Sequence, residues 1–326
     1  MSPKDNVTSL CLHLKESKLF NTIPLYASLI ETCSSTKDLK KLQQTHAQVV
    51  SLGIYHHDFI RSKLVSAYAS CLRIHEAIHI FSRTNRQPTF LYNCLIRAYA
   101  SLDLHRTSLR LFRQMMGAHK SPDSHTFPSL LKSIGHLSSL NLARQVHGFV
   151  VVMGDAGDLC VGNALVTAYA KCGCLGTARK VFDEMPDKNV VTWSSMMSGY
   201  AMHGESGEVM RLFEEMVEAG ERPDEKVFTA VLVACSYAGW REVGWGFLRV
   251  MKERFGVKAG VEHYTCLVDM LGKAGKVEAA EKAVAEMVAE GVACDEALWR
   301  ALLWACRAQG KMEVAERVAE MVYGRT

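Results

Sequence analysis

The chain has 326 residues, of which 48% are apolar and 22% charged, with a net charge of +4 and 7 prolines. This composition predicts an ordered chain, and no apolar run approaches the ~20 residues of a membrane-spanning helix, so we expect no contact with a membrane. The mild charge permits nucleic acid as a partner without arguing for it, and 11 cysteines in no disulfide spacing indicate free thiols.

The first segment in chain order is 1–22. It carries three lysines, two acidic residues and no arginine, a poor composition for an organellar transit peptide. We expect this N-terminal segment to be disordered or a weak targeting sequence.

From residue 23 onward the sequence recurs with a period of 101 residues. Tyr26, Phe127 and Phe228 keep this spacing, as do Pro122 and Pro223. Recurrence of this kind indicates a tandem array in which each unit buries its apolar face against its neighbours.

Each period contains three shorter units, seen most clearly in 190–224. Val209, Leu212 and Met216 follow helical spacing, and the stretch HGESG (203–207) separates this helix from the one before it. Each unit is therefore predicted to be a helical hairpin. The units are 23–57, 58–88, 89–123, 124–158, 159–189, 190–224, 225–260, 261–295 and 296–326.

The predicted fold class is all-α, a right-handed α-solenoid of about nine stacked hairpins. Its concave face should be lined by the first helix of each hairpin, and function is expected along that groove.

Three strings resemble the pentatricopeptide repeat proteins of land plants. They are YNCLIRAYA (92–100), VGNALVTAYAKCGCLGTARKVFDEMPDKNVVTWSSMMSGYAMHG (161–204) and EHYTCLVDMLGKAGKVEAAE (262–281). Unit lengths of 35, 31 and 35 residues resemble the PLS subclass, and ALWRALLWACRAQGKMEVAERVAE (297–320) is similar to the first extension motif of that subclass. The resemblance divides the chain into an array, 23–295, and an extension-type hairpin, 296–326.

The resemblance implies binding of single-stranded RNA, with roughly one hairpin per base and two reading side chains per hairpin. In the family these are the fifth and last residues of a unit. Four units carry polar pairs at these places: Asn93 with Asp123, Asn163 with Asn189, Ser194 with Asp224, and Thr265 with Asp295.

The chemistry of the pairs suggests which base each one reads. A carboxylate only accepts hydrogen bonds and favours U or G, whereas an asparagine amide can also donate to cytosine. Together with the family's code, this predicts U for 89–123, C or U for 159–189, and G for 190–224 and 261–295. The units without a readable pair are 23–57, 58–88, 124–158 and 225–260.

Other places suggest further contacts with RNA. The family positions the second residue of a unit between neighbouring bases, which implies Phe90, Cys160 and Val191 here. Lys171 and Lys273, thirteenth in their units, are candidates for phosphate contact. The simpler alternatives are helix caps for the aspartates and asparagines, and solvated surface lysines.

No catalytic constellation is expected. Relatives that carry a DYW deaminase domain need an H-x-E motif followed by P-C-x-x-C. His203 and Glu205 match the first part, but they lie in a hairpin turn and no P-C-x-x-C follows. We therefore predict a protein that is not an enzyme, with no catalytic residue, cofactor or metal, and without the DYW domain.

The first functional hypothesis is a monomeric, sequence-specific RNA-binding adaptor in an organelle. The resemblance implies a specificity factor for C-to-U editing that acts with a DYW-type deaminase in trans. It also implies the mitochondrion, with the chloroplast as the alternative. A second hypothesis is an RNA splicing or stability factor, and a third is a protein-interaction scaffold of the tetratricopeptide type.

Overall fold

The computed structural model describes residues 22–323, where it contains 18 α-helices, two short 3-10 turns and no strand. The all-α fold class is thus confirmed for this part of the chain. Most of the predicted N-terminal segment 1–22 lies outside the described residues. None of the described helices is long and apolar enough to cross a membrane.

The chain divides into two compact units at the Ala156–Gly157 junction. The N-terminal unit contains eight helices within its described part. They are α1 (22–36), α2 (Leu39–Ser51), α3 (Asp58–Ser70), α4 (Ile74–Ser82), α5 (Thr89–Ser101), α6 (His105–Gly117), α7 (Thr126–His136) and α8 (Leu140–Met153).

The C-terminal unit contains ten helices in its described part. They are α9 (Leu159–Lys171), α10 (Leu175–Glu184), α11 (Val190–Met202), α12 (Ser206–Glu218), α13 (Glu225–Ala238), α14 (Arg241–Glu253), α15 (Val261–Lys273), α16 (Val277–Ala289), α17 (Glu296–Gln309) and α18 (Met312–Tyr323).

Within each compact unit the helices pair as hairpins, and the hairpins stack. Helix α5 packs against its partner α6 and against the first helices on either side, α3 and α7, while α11 packs in the same way against α12, α9 and α13. Odd-numbered helices therefore form an inner layer, and their side chains dominate the core. Phe127, Phe228 and Tyr264 are fully buried on this layer.

Small residues allow the first helices to approach closely. A β-carbon built on Gly199 of α11 would lie 2.7 Å from the Ala170 β-carbon of α9, and one on Gly272 of α15 would lie 2.6 Å from the Ala305 β-carbon of α17. These contacts leave no room for a larger side chain, so glycine sets the spacing between neighbouring hairpins.

The turn inside each hairpin contains one residue with a left-handed backbone. This residue is always fifteenth from the predicted start of its unit, and the C-terminal unit places glycine there, as at Gly173 and Gly204 with φ of 76°. The N-terminal unit instead forces side-chain-bearing residues into this conformation, which costs about 1–2 kcal/mol each. They are Lys37, Leu72, Asp103 and Ser138.

Candidate nucleic-acid interface

The start of each first helix positions the predicted reading residues. Helix α5 begins at Thr89, which places Phe90 and Asn93 one turn apart on the same side of the helix. The Phe90 side chain is 46% exposed, whereas Asn93 is 4% exposed. An apolar side chain thus protrudes beside a recessed amide, and the last residue of the unit, Asp123, adjoins that amide.

Asn93 and Asp123 are directly hydrogen-bonded. The Asn93 Nδ2 donates to Asp123 Oδ1 at 2.8 Å, and the Thr126 hydroxyl lies 2.7 Å from Asn93 Oδ1. The same Asp123 Oδ1 also accepts from the backbone N–H groups of His125 and Thr126 at 3.0 Å. Because all these bonds use Oδ1, the second oxygen of Asp123 has no hydrogen bond within the described part of the chain.

Asn163 and Asn189 are arranged differently. Asn189 is the N-cap of α11, and its Oδ1 accepts from the backbone N–H of Thr192 at 3.1 Å. Asn163 is 8% exposed, and its Oδ1 is buried without a hydrogen-bond partner among the described residues. Asn163 therefore retains an unused acceptor. Leaving a buried carbonyl oxygen unpaired costs roughly 1–3 kcal/mol, which a ligand that donates to it would recover.

The remaining two pairs have no direct hydrogen bond in the described structure. Asp224 Oδ1 caps α13 through the Val227 N–H at 2.9 Å, and Asp295 Oδ1 caps α17 through the Leu298 N–H at 2.8 Å. The fifth residues bond to their own helices, Ser194 to Val191 O at 3.2 Å and Thr265 to Val261 O at 2.8 Å. The helix-cap alternative therefore holds for Asn189, Asp224 and Asp295, whereas Asp123 accepts from the N–H groups of the turn that leads into α7. Each cap occupies one oxygen, so an Asp retains the other oxygen for a ligand.

In three of these units, 89–123, 159–189 and 190–224, the second residue is an exposed apolar side chain, whereas 261–295 has Glu262 there. Val191 is 44% exposed, and Cys160 is likewise exposed. Sequence reasoning missed Phe59 on α3, which is 47% exposed and has the Lys63 ammonium 5.3 Å from its ring centroid. The signal was available, because Phe59 stands second in 58–88 as Phe90 does in 89–123.

A groove between α9 and α11 brings three predicted site residues together. Lys171, Val191 and Ser194 line this space of about 200 Å³, and Lys226 from the start of α13 reaches it. Lys226 was not predicted, although it stands second in its unit. A cation beside an exposed apolar side chain and a hydroxyl is suited to a nucleotide, which has a phosphate, a flat base and polar edges.

Lys273 is not a simple solvated lysine. Its Nζ lies 2.5 Å from Asp269 Oδ2 and 5.6 Å from the ring centroid of Tyr237. A phosphate contact would have to compete with this ion pair.

In the N-terminal unit, Lys37 and Arg97 line a groove across α1, α3 and α5. Neither was predicted, although Lys132 repeats the cation of Arg97 at the ninth place of the next unit.

The turn residues considered for metal or catalytic chemistry have structural contacts. The His203 Nε2 donates to the Ala170 carbonyl at 2.8 Å. Burial and the neighbouring Cys174 raise the pKa of the Cys172 thiol, which disfavours the thiolate that a metal requires. Within residues 22–323, no three His, Cys, Asp or Glu side chains group as they would around a metal ion.

Stacked helical hairpins with polar pairs at the starts of their first helices define the class of helical repeat proteins. Residues 90–118, 163–190 and 262–292 each match the PPR repeat, and 188–236 match the PPR repeat family.

Curated plant proteins are similar over most of this chain. A mitochondrial pentatricopeptide repeat-containing protein of Arabidopsis thaliana is 36% identical over 91% of this chain and 46% of its own length. The chloroplastic protein CRR2 of the same plant is 33% identical over 91% of this chain and 46% of its own length. By these matches the chain is similar to plant pentatricopeptide repeat proteins. The chain spans less than half the length of these relatives.

Solved structures share the fold. The pentatricopeptide repeat protein PPR10 in complex with an 18-nt psaJ RNA element aligns with a TM-score of 0.72, at 19% identity, over 88% of this chain and 43% of that chain. The PPR10 structure from maize aligns with a TM-score of 0.69, at 18% identity, over 88% of this chain and 41% of that chain. At this level of identity the likeness establishes the helical-repeat fold.

Proposed function

We propose that this protein binds single-stranded RNA sequence-specifically in a plant organelle and acts as an adaptor without catalytic activity of its own. One observation carries the proposal. Polar pairs recur at the starts of stacked first helices, and in three of the pairs the fifth residue of the unit lies one helical turn from an exposed apolar side chain. Phe90, Cys160 and Val191 are those side chains. Stacking and edge recognition of an unpaired base require this combination.

The free atoms of each pair suggest the base that it reads. Asp123 and Asp224 each keep one carboxylate oxygen outside the helix cap, and this oxygen can accept from the N3–H of uracil or the N1–H of guanine. The short Ser194 side chain leaves room for a purine. Asn189 keeps its amide NH₂ outside the cap, where it can donate to cytosine N3. We therefore infer U, C or U, and G for the units 89–123, 159–189 and 190–224.

The fourth pair, Thr265 with Asp295, is assigned to G on the same grounds. Lys171 and Lys273 are assigned to phosphate contacts, with Lys226 as an addition from the groove between α9 and α11. One hairpin per base places these assignments in the order U-N-C-G-N-G, where N is any base.

A binding assay tests this proposal. The full chain is titrated with short single-stranded RNAs carrying U-N-C-G-N-G in either strand polarity, and with the same RNAs in scrambled order. We expect one polarity to bind at least tenfold more tightly than its scrambled form, with an affinity that falls as salt rises. Equal binding of all RNAs would contradict sequence-specific reading. Preference for a peptide ligand over RNA would favour the protein-interaction scaffold.

Within this function, we propose a specificity factor of the PLS subclass for C-to-U editing, with a DYW-type deaminase supplied in trans. The unit lengths and the similarity of 297–320 to an extension motif support this choice. Organellar RNA from a loss-of-function plant should lose one specific C-to-U change. If editing is intact but a transcript is unspliced or reduced in amount, the protein is instead a splicing or stability factor.

The mitochondrion is the proposed compartment, with the chloroplast as the alternative. Relatives of both kinds support an organelle, because one is described as mitochondrial and another as chloroplastic. Sequencing RNA from both organelles of the same mutant plant identifies the compartment directly.

A further inference from the structure

A buried threonine lies beneath the reading pair of unit 89–123. Thr126 is the third residue of the following unit and is fully buried. Its Oγ1 lies 2.7 Å from Asn93 Oδ1 and 3.0 Å from Asp123 Oδ1, and it accepts from the Asp123 backbone N–H at 3.0 Å. One hydroxyl thus contacts both members of the pair.

The hydrogen-bond inventory determines the orientation of the Asn93 amide. A threonine hydroxyl has one proton, and its shorter contact is with Asn93 Oδ1. The carbonyl end of the amide is therefore held by Thr126, while the NH₂ end donates to Asp123 at 2.8 Å. The reversed amide would place two oxygens in contact, Asn93 Oδ1 against the Asp123 carboxylate. Thr126 and Asp123 together permit one orientation.

Helix capping does not account for this contact. Thr192 occupies the same place in unit 190–224 and forms a capping box with Asn189. It makes no hydrogen bond to the fifth residue of the preceding unit, Asn163, whose Oδ1 is unpaired. Thr126 makes the same reciprocal hydrogen bonds with Asp123 and also reaches Asn93. The bond to the fifth residue is thus an addition to the cap.

A histidine repeats the arrangement in the C-terminal unit. His263 is the third residue of 261–295 and is fully buried. Its Nδ1 accepts from the Gly260 N–H at 2.9 Å, so its Nε2 carries the proton. This Nε2 lies 2.9 Å from the Glu225 carbonyl oxygen and 3.2 Å from the hydroxyl of Thr229, the fifth residue of the preceding unit. A different side chain at the third place again contacts the fifth.

We propose that Thr126, the third residue of the following hairpin, is a positioning residue of the base-reading site and sets the selectivity of the Asn93 and Asp123 pair. The inference rests on the proposed reading of RNA. An amide held in one orientation presents its NH₂ group beside the free Asp123 oxygen. An amide that can turn also presents a carbonyl oxygen, which accepts from the amino group of cytosine. Removing the hydroxyl leaves Asp123 alone to hold the amide, so cytosine should bind more readily where uracil is preferred.

The test compares variants of the full chain at the base read by unit 89–123. Thr126→Val removes the hydroxyl while keeping the shape, and Thr126→Ser keeps the hydroxyl. Thr84→Val is the matched control, because Thr84 is a buried threonine of the same compact unit whose hydroxyl donates to the Ile80 carbonyl at 2.9 Å. Affinity is measured for RNAs that differ only by U or C at that base.

The Thr126→Val variant should lose about two- to tenfold of its preference for U over C, the range that one net hydrogen bond contributes. The serine variant and Thr84→Val should keep the wild-type ratio, and the other base positions should be unchanged in all variants. Thr126→Ala provides the same comparison if the valine variant does not fold.

Two outcomes would overturn the inference. One is a valine variant with the wild-type ratio of U to C binding. The other is an equal loss of affinity for both RNAs, which would limit Thr126 to helix capping. A wild-type chain that binds RNA without any preference at this base would instead contradict the proposed reading by unit 89–123.

Discussion

Gly199 of α11 lies against Ala170 of α9, where a β-carbon on Gly199 would lie 2.7 Å from that of Ala170. We expect Gly199→Ala to destabilise the protein by about 1–3 kcal/mol, because neither β-carbon can move unless the helices separate. Unfolding in urea measures this change.

Two controls accompany that prediction. Gly246→Ala on α14 meets no atom within 4 Å and should stabilise the helix by about 0.5–1 kcal/mol. Adding Ala170→Gly to Gly199→Ala should recover most of the lost stability, since the two changes restore the space. If the stability changes of Gly199→Ala and Ala170→Gly simply add in the double variant, the contact between these two residues is not the cause of the destabilisation.

Leu72 is expected to destabilise the turn between α3 and α4. Its φ of 57° suits glycine, and its side chain is 43% exposed, so little apolar burial is at stake. Leu72→Gly should raise the free energy of unfolding by about 0.5–1 kcal/mol, since relief of the left-handed strain exceeds the entropy cost of glycine. The reverse change at the equivalent place, Gly204→Leu, should lower stability. A less stable Leu72→Gly variant would contradict the strain argument.

Asn189→Asp should move the preference of unit 159–189 from C toward U. The substitution keeps the oxygen that caps α11 but replaces the NH₂ donor by an acceptor. The expected change in discrimination is about 1–3 kcal/mol, with stability nearly unchanged. Asp224→Asn is the reciprocal variant and should move unit 190–224 from G toward A, whose N1 accepts. The measurement is the affinity of each variant for RNAs that differ at that single base. An unchanged preference would refute the assignment.

RNA should protect Cys160 from alkylation. Its side chain is exposed at the second place of unit 159–189, where we expect a base to stack. Labelling with a maleimide, quantified for each cysteine by mass spectrometry, should slow several-fold at Cys160 when the preferred RNA is bound. Cys174, in the turn after the other end of α9, serves as the internal control and should react at the same rate. Protection of both thiols would indicate a general change in the protein.

Stability should fall at alkaline pH because of Tyr264. Burial raises the pKa of this phenol to about 12. The hydrogen bond from Lys252 opposes this shift, and the hydrogen bond to Glu290 adds to it. The folded protein thus holds the phenolic proton more tightly than the unfolded chain, whose tyrosine ionises near pH 10. This contribution, on the order of 2 kcal/mol, is complete below pH 10 and is lost as the pH rises toward 12.

The test of this pH dependence uses Tyr264→Phe. The stability difference between the wild type and this variant should shrink between pH 10 and pH 12 in urea unfolding. Tyr237→Phe changes an exposed tyrosine and should follow the wild-type profile. If the difference in stability between the wild type and Tyr264→Phe stays constant across this pH range, the role of Tyr264 is contradicted.

Much of the helical architecture was predictable because its signals are local. Helical spacing of Val209, Leu212 and Met216 and the glycine turn at 203–207 predicted paired helices, and the all-α class is confirmed. The strained turns of the N-terminal unit carry only an indirect signal. Leu72 and Asp103 stand fifteenth in their units, where the C-terminal unit has glycine, but a leucine by itself does not favour a left-handed backbone. The packing of the paired helices imposes that conformation on the residue that stands there.

The sequence by itself determined the fold class and the place that each residue occupies in its repeat, since both follow from periodic spacing along the chain. Only the tertiary structure decided which members of the proposed reading pairs meet. Asn93 bonds directly to Asp123, 30 residues away, and both contact Thr126. At the same places, Ser194 bonds to its own helix and Asp224 caps the next one. Such contacts depend on how two hairpins pack to within a few tenths of an ångström, and no local pattern encodes that distance.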